Sequence, residues 1–231
     1  MATHTAPILD RILESRRAWV DELKAQERTS GLKAADADPA RDFRGALRGP
    51  GVALIAECKQ RSPSGGVLQQ PYDPVGLARR YAANGAAAIS VLTEPEFFGG
   101  SLDHLRAIRA AVELPLLCKD FIIDPVQLRA ARWAGADAVL LIVAILDDGD
   151  LRTLRQAATE LGLQAVVEVH DEAEVQRAMD IGAAIIGINN RDLTRMKTDR
   201  AITARLRSRI PPGHVVISES GIESRADMDE L

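Results

Sequence analysis

DPVGLARRYAANGAAAISVL (73–92) and DPVQLRAARWAGADAVLLIV (124–143) are two versions of one pattern. Each opens on Asp-Pro, runs through an Ala/Leu/Arg segment, meets a glycine and ends in an apolar run. DEAEVQRAMDIGAAIIGI (171–188) is a looser third copy. Asp caps a helix, Pro occupies its first position and Gly ends it. A near-continuous apolar strand is buried on both faces. One helix–strand unit repeated in this way builds a parallel sheet. With no G-x-G-x-x-G after the first strand, the class is α/β of the TIM-barrel (β/α) type rather than a dinucleotide-binding fold. A flavodoxin-like sheet is the fallback.

Outward from the repeat, the pattern predicts strands over Val52–Lys59, Ala86–Thr93, Leu116–Phe121, Ala138–Leu146, Ala165–His170, Ala184–Asn189 and Val215–Ser220. The intervening helices are predicted at Pro74–Asn84, Leu102–Val112, Pro125–Ala134, Asp148–Leu161, Glu172–Ile181 and Asp199–Ser208. Before them, Ile8–Lys24 has apolar residues near helical spacing, with Arg, Glu and Lys assigned to the opposite face. Gln26 to Pro39 reads as a loop or frayed helix, and Asp42–Leu47 as a short helix. The domain plan is one barrel over 51–231 with a helical extension over 1–50.

The 231 residues are 46% hydrophobic and 27% charged, with a net charge of −4. Nothing global points to nucleic acid or a membrane surface. The N-terminus lacks the basic and apolar regions of a signal peptide, and the longest apolar run, Ala138 to Leu146, is too short to span a bilayer. Two cysteines without C-x-x-C fit a reducing cytoplasm, and four scattered histidines offer no metal-ligand spacing. No metal is expected.

In a barrel of this kind the site lies at the C-terminal strand ends. Those ends carry Glu57 and Lys59, then Lys119, Glu168, Asn189 and Glu219 with Ser220. Glu57 and Lys59 are two apart on a strand and so share a face. If Lys59 and Lys119 point inward, Cys58 and Cys118 point toward the helices as packing residues. Lys59, Arg61, Lys119 and Arg191 crowd one end, which points to an anionic substrate. The loop Ser62-Pro63-Ser64-Gly65-Gly66 offers hydroxyls and backbone N–H groups to it.

IAECKQRSPSGG (55–66), SVLTEPEFFGGS (90–101), LLCKDFIIDPVQ (116–127), VVEVHDEAE (166–174), IIGINNRDL (185–193) and ISESGI (217–222) together resemble indole-3-glycerol phosphate synthase. The leading helix resembles that family's extra N-terminal helix. The resemblance implies ring closure, decarboxylation and dehydration of 1-(2-carboxyphenylamino)-1-deoxyribulose 5-phosphate in tryptophan biosynthesis, without metal or organic cofactor. It implies a catalytic set of Glu57, Lys59, Lys119, Glu168, Asn189, Glu219 and Ser220, with Ser62, Phe121, Arg191 and Gly221 binding substrate. Lys119 is expected to protonate the ketone with a depressed pKa, Glu168 to stabilise a cationic intermediate, and Lys59 with Glu57 to dehydrate. The implied partner is a small phosphorylated substrate; a monomer or weak dimer, in company with other tryptophan-pathway enzymes, is expected.

The sequence stops at Leu231, within a predicted helix from Ser224. Seven strands are counted where the family has eight, so a truncated chain is expected, lacking the last βα unit and its Gly/Ser phosphate loop. Such a chain is expected to expose the first and seventh strands as edges, and to be poorly soluble or inactive when made alone. Two other readings are a related barrel such as phosphoribosylanthranilate isomerase, which needs a Cys/Asp-type pair, and a non-catalytic phosphate-ligand-binding remnant.

Overall fold

The computed structural model describes residues 7–30, 38–192 and 197–230. Helix α1 (Pro7–Ser30) turns Leu9, Ile12, Leu13, Val20 and Leu23 inward on one stripe. It runs six residues past the expected end at Lys24; the expected loop at 31–37 lies outside the described residues. The next elements in order are α2 (Phe43–Ala46), β1 (Ile55–Cys58), β2 (Arg61–Ser62), β3 (Gly66–Val67), α3 (Pro74–Ala83) and β4 (Ala88–Leu92). They are followed by α4 (Pro95–Phe98), α5 (Leu102–Arg109), β5 (Leu116–Lys119), α6 (Pro125–Trp133), β6 (Ala138–Ile142), α7 (Asp148–Glu160) and β7 (Gln164–Val169). The chain continues through α8 (Glu172–Asp180), β8 (Ile185–Asn189), α9 (Ala201–Arg207), β9 (Val215–Glu219) and α10 (Arg225–Glu230).

Seven strands pair in parallel in the order β1-β4-β5-β6-β7-β8-β9, a half-barrel sheet consistent with a TIM-type barrel. The repeat folds as its chemistry dictates. Asp73 and Asp124 cap α3 and α6, accepting from Gly76 N and Val126 N, and Gln127 completes a capping box on α6. Gly85 and Gly135 follow the two helices at φ 84° and 92°, a left-handed turn that a side chain would strain.

Strand alternation divides the core in two. Cys58, Val91, Cys118, Val139, Val167 and Ile186 face outward into the helix layer. Ala88, Leu117, Leu140, Val166 and Ile185 face inward, with the fully buried Phe43 of α2 packed among them. The expected cysteine parity is the observed one.

Besides the longer α1, three stretches differ from expectation. The run Ala138–Leu146 leaves the sheet at Ile142 and turns through a 3-10 segment, Val143–Ile145. Apolarity could not mark that exit, because Val143 and Leu146 remain buried in the outer core. Their carbonyls are instead satisfied by the Arg177 guanidinium of α8, at 3.1 and 2.6 Å. The Ser62–Gly66 loop is the turn of an antiparallel hairpin, β2 with β3. Finally, α4 was not anticipated: Glu94 caps it by accepting from the N–H groups of Glu96, Phe97 and Phe98 at 2.9, 2.7 and 3.1 Å.

Candidate active site

The inner parity that sets the barrel core also sets the site. Past Leu117 the next inward residue on β5 is Lys119; past Ile55 on β1 it is Glu57, and past Val166 on β7 it is Glu168. Asn189 and Glu219 end β8 and β9 side by side in register. Every candidate residue from Glu57 to Gly221 lines one cavity of about 900 Å³. It is apolar toward α1, α4 and the loop after β5, where Ile8, Ile12, Phe98 and Phe121 contribute, with the two phenyl rings 6.0 Å apart.

Lys119 is the centre. Its Nζ lies 3.2 Å from Glu57 Oε2 and 3.0 Å from Glu219 Oε2. Lys59 donates to the other oxygen of Glu57, Oε1. Asn189 Nδ2 donates to Glu168 Oε1 at 3.1 Å, while its Oδ1 accepts from Arg191 N at 3.0 Å and from Ser220 Oγ at 2.9 Å. Ser220 has φ 69°, and this unusual backbone is held by that bond and by Asn190 Nδ2 on its carbonyl. Arg191 reaches across to Ser64 Oγ at 3.0 Å, joining the β2–β3 turn to the end of β8. Ser62 Oγ is engaged by Gly65 N in its own turn. Arg61 is drawn away from the cationic group, donating to the carbonyls of Pro95 and Glu96.

Burial penalises charge on all these groups, and their neighbours decide the outcome. At Glu57, Lys119 and Lys59 overcome burial and hold the carboxyl at about 2. At Lys119, burial alone would favour the neutral amine, but Glu219, Glu57 and Glu168 outweigh it and push its pKa well up. The depressed lysine pKa expected from sequence is therefore corrected: the charges that face this ammonium are carboxylates, not cations. Glu219 titrates above the ordinary carboxylate range, through burial and the nearby Glu168 and Glu57 charges, with Lys119 opposing. Its Oε1 is buried with no hydrogen-bond partner among the described residues, as is Ser90 Oγ of β4. Glu168 is lowered: burial works against it, but His170, Lys119 and Asn189 prevail.

Two groups were not placed in the expected site, although His170 was read at the end of its strand beside Glu168. His170 directly follows β7, beside Glu168, and Arg16 sits in the buried stripe of α1 rather than on the polar face assigned to its charges. The Arg16 guanidinium is 2% exposed and lies 3.6 Å from both Glu94 and Asp120, which are themselves buried. A charge at the inward position between Leu13 and Val20 was the available signal. Without tertiary partners it read as an imperfection of the stripe.

Cys58 and Cys118 lie on the helix side, and burial pushes both thiols up to about 12. Native protein is expected to resist DTNB, with both sulfurs reacting only after unfolding in urea. Rapid native labelling of either would contradict their packing role.

A parallel half-barrel with an ammonium held among carboxylates at the strand ends defines a barrel that gathers proton donors and acceptors in one cavity. The family model described as indole-3-glycerol phosphate synthase matches residues 9–231. Indole-3-glycerol phosphate synthase 2 of Streptomyces coelicolor is 51% identical over 216 residues, covering 94% of this chain and 82% of that protein. The indole-3-glycerol phosphate synthase of Roseiflexus sp. is also 51% identical, over 226 residues, with 93% and 84% covered. That of Chlorobium chlorochromatii is 46% identical over 228 residues, with 96% and 89% covered. The chain belongs to the indole-3-glycerol phosphate synthase family, and so to the carboxy-lyases. No helix among the described residues is long and apolar enough to cross a membrane.

Proposed function

We propose that this site closes the indole ring of 1-(2-carboxyphenylamino)-1-deoxyribulose 5-phosphate, on a single domain of the (β/α)8 type with residues 1–50 as a leading helical extension. The observation that carries the assignment of roles is Lys119 Nζ between Glu57 and Glu219, in a cavity with one apolar and one polar wall. The apolar wall of Phe98, Phe121 and α1 suits the aromatic ring. Ser62, Ser64, Arg191 and the Ser220-Gly221 turn suit the charged groups of the substrate.

Ring closure forms a bond from the carboxyl-bearing ring carbon to the ketone carbon, while the ketone oxygen gains negative character. Lys119 polarises that oxygen. Its raised pKa keeps it charged, so it acts first as a charged hydrogen-bond donor, and the proton moves only as the oxygen becomes strongly basic. The ring nitrogen becomes cationic, and Glu168 stabilises it until carbon dioxide departs and its bonding electrons return to the ring system. For dehydration, Lys59 protonates the leaving hydroxyl and Glu57 accepts the remaining ring proton. A carboxylate at about 2 is a weak base, sufficient here because the departing proton lies next to a cationic centre. Asn189, Glu219 and Ser220 orient the substrate hydroxyls, with Glu219 Oε1 and Ser90 Oγ as buried atoms still able to bond.

The isomerase reading finds no support, because both cysteine sulfurs are buried outside the barrel. The test is direct. Mixing the chain with the carboxyphenylamino-deoxyribulose phosphate is expected to produce indole fluorescence with release of carbon dioxide, against the inactivity that the strand count led us to expect of the chain alone. No product at saturating substrate would overturn the proposal.

A further inference from the structure

We propose that His170 and Glu174 are positioning residues that aim and charge-balance Glu168. The proposal rests on the reading of Glu168 as a catalytic carboxylate. Its basis is a chain of contacts running from the first turn of α8 to the cavity. Asp171 caps α8, accepting from Glu174 N at 2.8 Å, and this returns the Glu174 side chain to the end of β7. There Glu174 Oε2 accepts from the His170 backbone N–H at 2.8 Å and lies 3.0 Å from His170 Nδ1. With one ring nitrogen so fixed, Nε2 lies buried 3.2 Å from Glu168 Oε1, an ion-pair contact without hydrogen-bond geometry among the described residues. The side chains of His170 and Glu174 are 15% exposed and that of Glu168 is 3% exposed.

Such a device is useful because the site is rich in carboxylates. Lys119 is bonded to Glu57 and Glu219, and neither bond reaches Glu168. Three groups bearing on Glu168 matter for its charge: Lys119 from β5, Glu219 from β9 and His170 just after β7. Left with Lys119 alone, Glu168 would face a like charge across the barrel and tend to protonate. Those facing His170 are Glu168 and Glu174. Burial disfavours the imidazolium, but these two carboxylates push it up to about 10, so the ring is cationic at neutral pH. Asn189 Nδ2 and His170 Nε2 both approach Oε1 of Glu168, and neither engages Oε2.

The experiment compares the pH dependence of kcat and KM for the full chain and for the variants His170→Gln, Glu174→Gln and Glu168→Gln, with the Glu168 carboxyl followed by carbon-13 NMR. For His170→Gln we expect kcat near neutrality to fall about tenfold, KM to change little, and the Glu168 midpoint to rise, carrying the acid limb of kcat to higher pH. For Glu174→Gln the same shift is expected with smaller size, because the ring stays cationic but loses the carboxylate that holds it against Glu168. A His170→Gln profile superimposable on the parent, with an inactive Glu168→Gln, would overturn the proposal and leave the reading of Glu168 intact. An active Glu168→Gln would overturn both. If His170→Gln does not fold, Glu174→Gln decides alone: a raised midpoint supports the proposal, an unmoved one overturns it.

Discussion

Replacing Lys119 with alanine is expected to lower kcat by about three orders of magnitude while leaving the fold intact. The variant removes the group that polarises the ketone, and the other lysine and arginine described at the strand ends are engaged elsewhere. Lys59 is engaged with Glu57 from the far side, and Arg191 is tied to Ser64. The fold survives because the buried carboxylates left behind have other outlets. Glu57 retains Lys59, and Glu219, already raised by burial, can take up a proton instead of remaining as an uncompensated charge. The measurement is single-turnover kinetics beside far-ultraviolet circular dichroism. Near-normal turnover in a folded variant would remove Lys119 from the mechanism.

Replacing Arg16 with leucine is expected to cost about 3–5 kcal/mol, because it leaves Glu94 and Asp120 buried without their cation. The penalty has a sign with pH. Burial already raises Asp120 despite Arg16 and the hydrogen bond from Thr93. Without Arg16 the carboxyl rises further, so the difference between parent and variant is full above the variant's carboxyl pKa. It narrows as pH falls through the carboxylate range, where both forms are protonated. Urea melts at two pH values read this directly; a pH-independent difference would mean that Arg16 serves by packing on Trp19, 4.7 Å from its ring, and not by charge. Binding should suffer too. Glu94 caps the helix carrying Phe98, and Asp120 accepts from the N–H of Phe121, so a loosened Arg16 frees both rings of the apolar wall.

The architecture was legible in the chain to a considerable depth. Capping residues, stop glycines and buried strands are local chemistry, and Asp124-Pro125 means the same wherever it stands. Strand parity is equally local: once Leu117 faces inward, Cys118 faces out and Lys119 faces in. Parity and the strand-end position therefore brought Glu57, Lys119, Glu168, Asn189 and Glu219 into one cavity on paper. What they did not contain was who faces whom. Lys119 and Glu219 are a hundred positions apart and meet only because the sheet curves. The sequence reading surrounded Lys119 with cations and expected a lowered pKa; across the barrel it meets three carboxylates, and the direction reverses.

The same distinction explains the other differences. The exit of β6 at Ile142 depends on Arg177 of a helix more than thirty residues later, and the burial of Arg16 depends on two acids from separate loops. Periodicity reports which face a residue presents, because that follows from backbone geometry alone. It carries no information on the charge opposite, because that is a property of the curved sheet. The chain itself thus determined the helix–strand rhythm, the inward lysines and acids and the outward cysteines. The tertiary structure decided their pairing, and through low-dielectric Coulomb interactions their protonation.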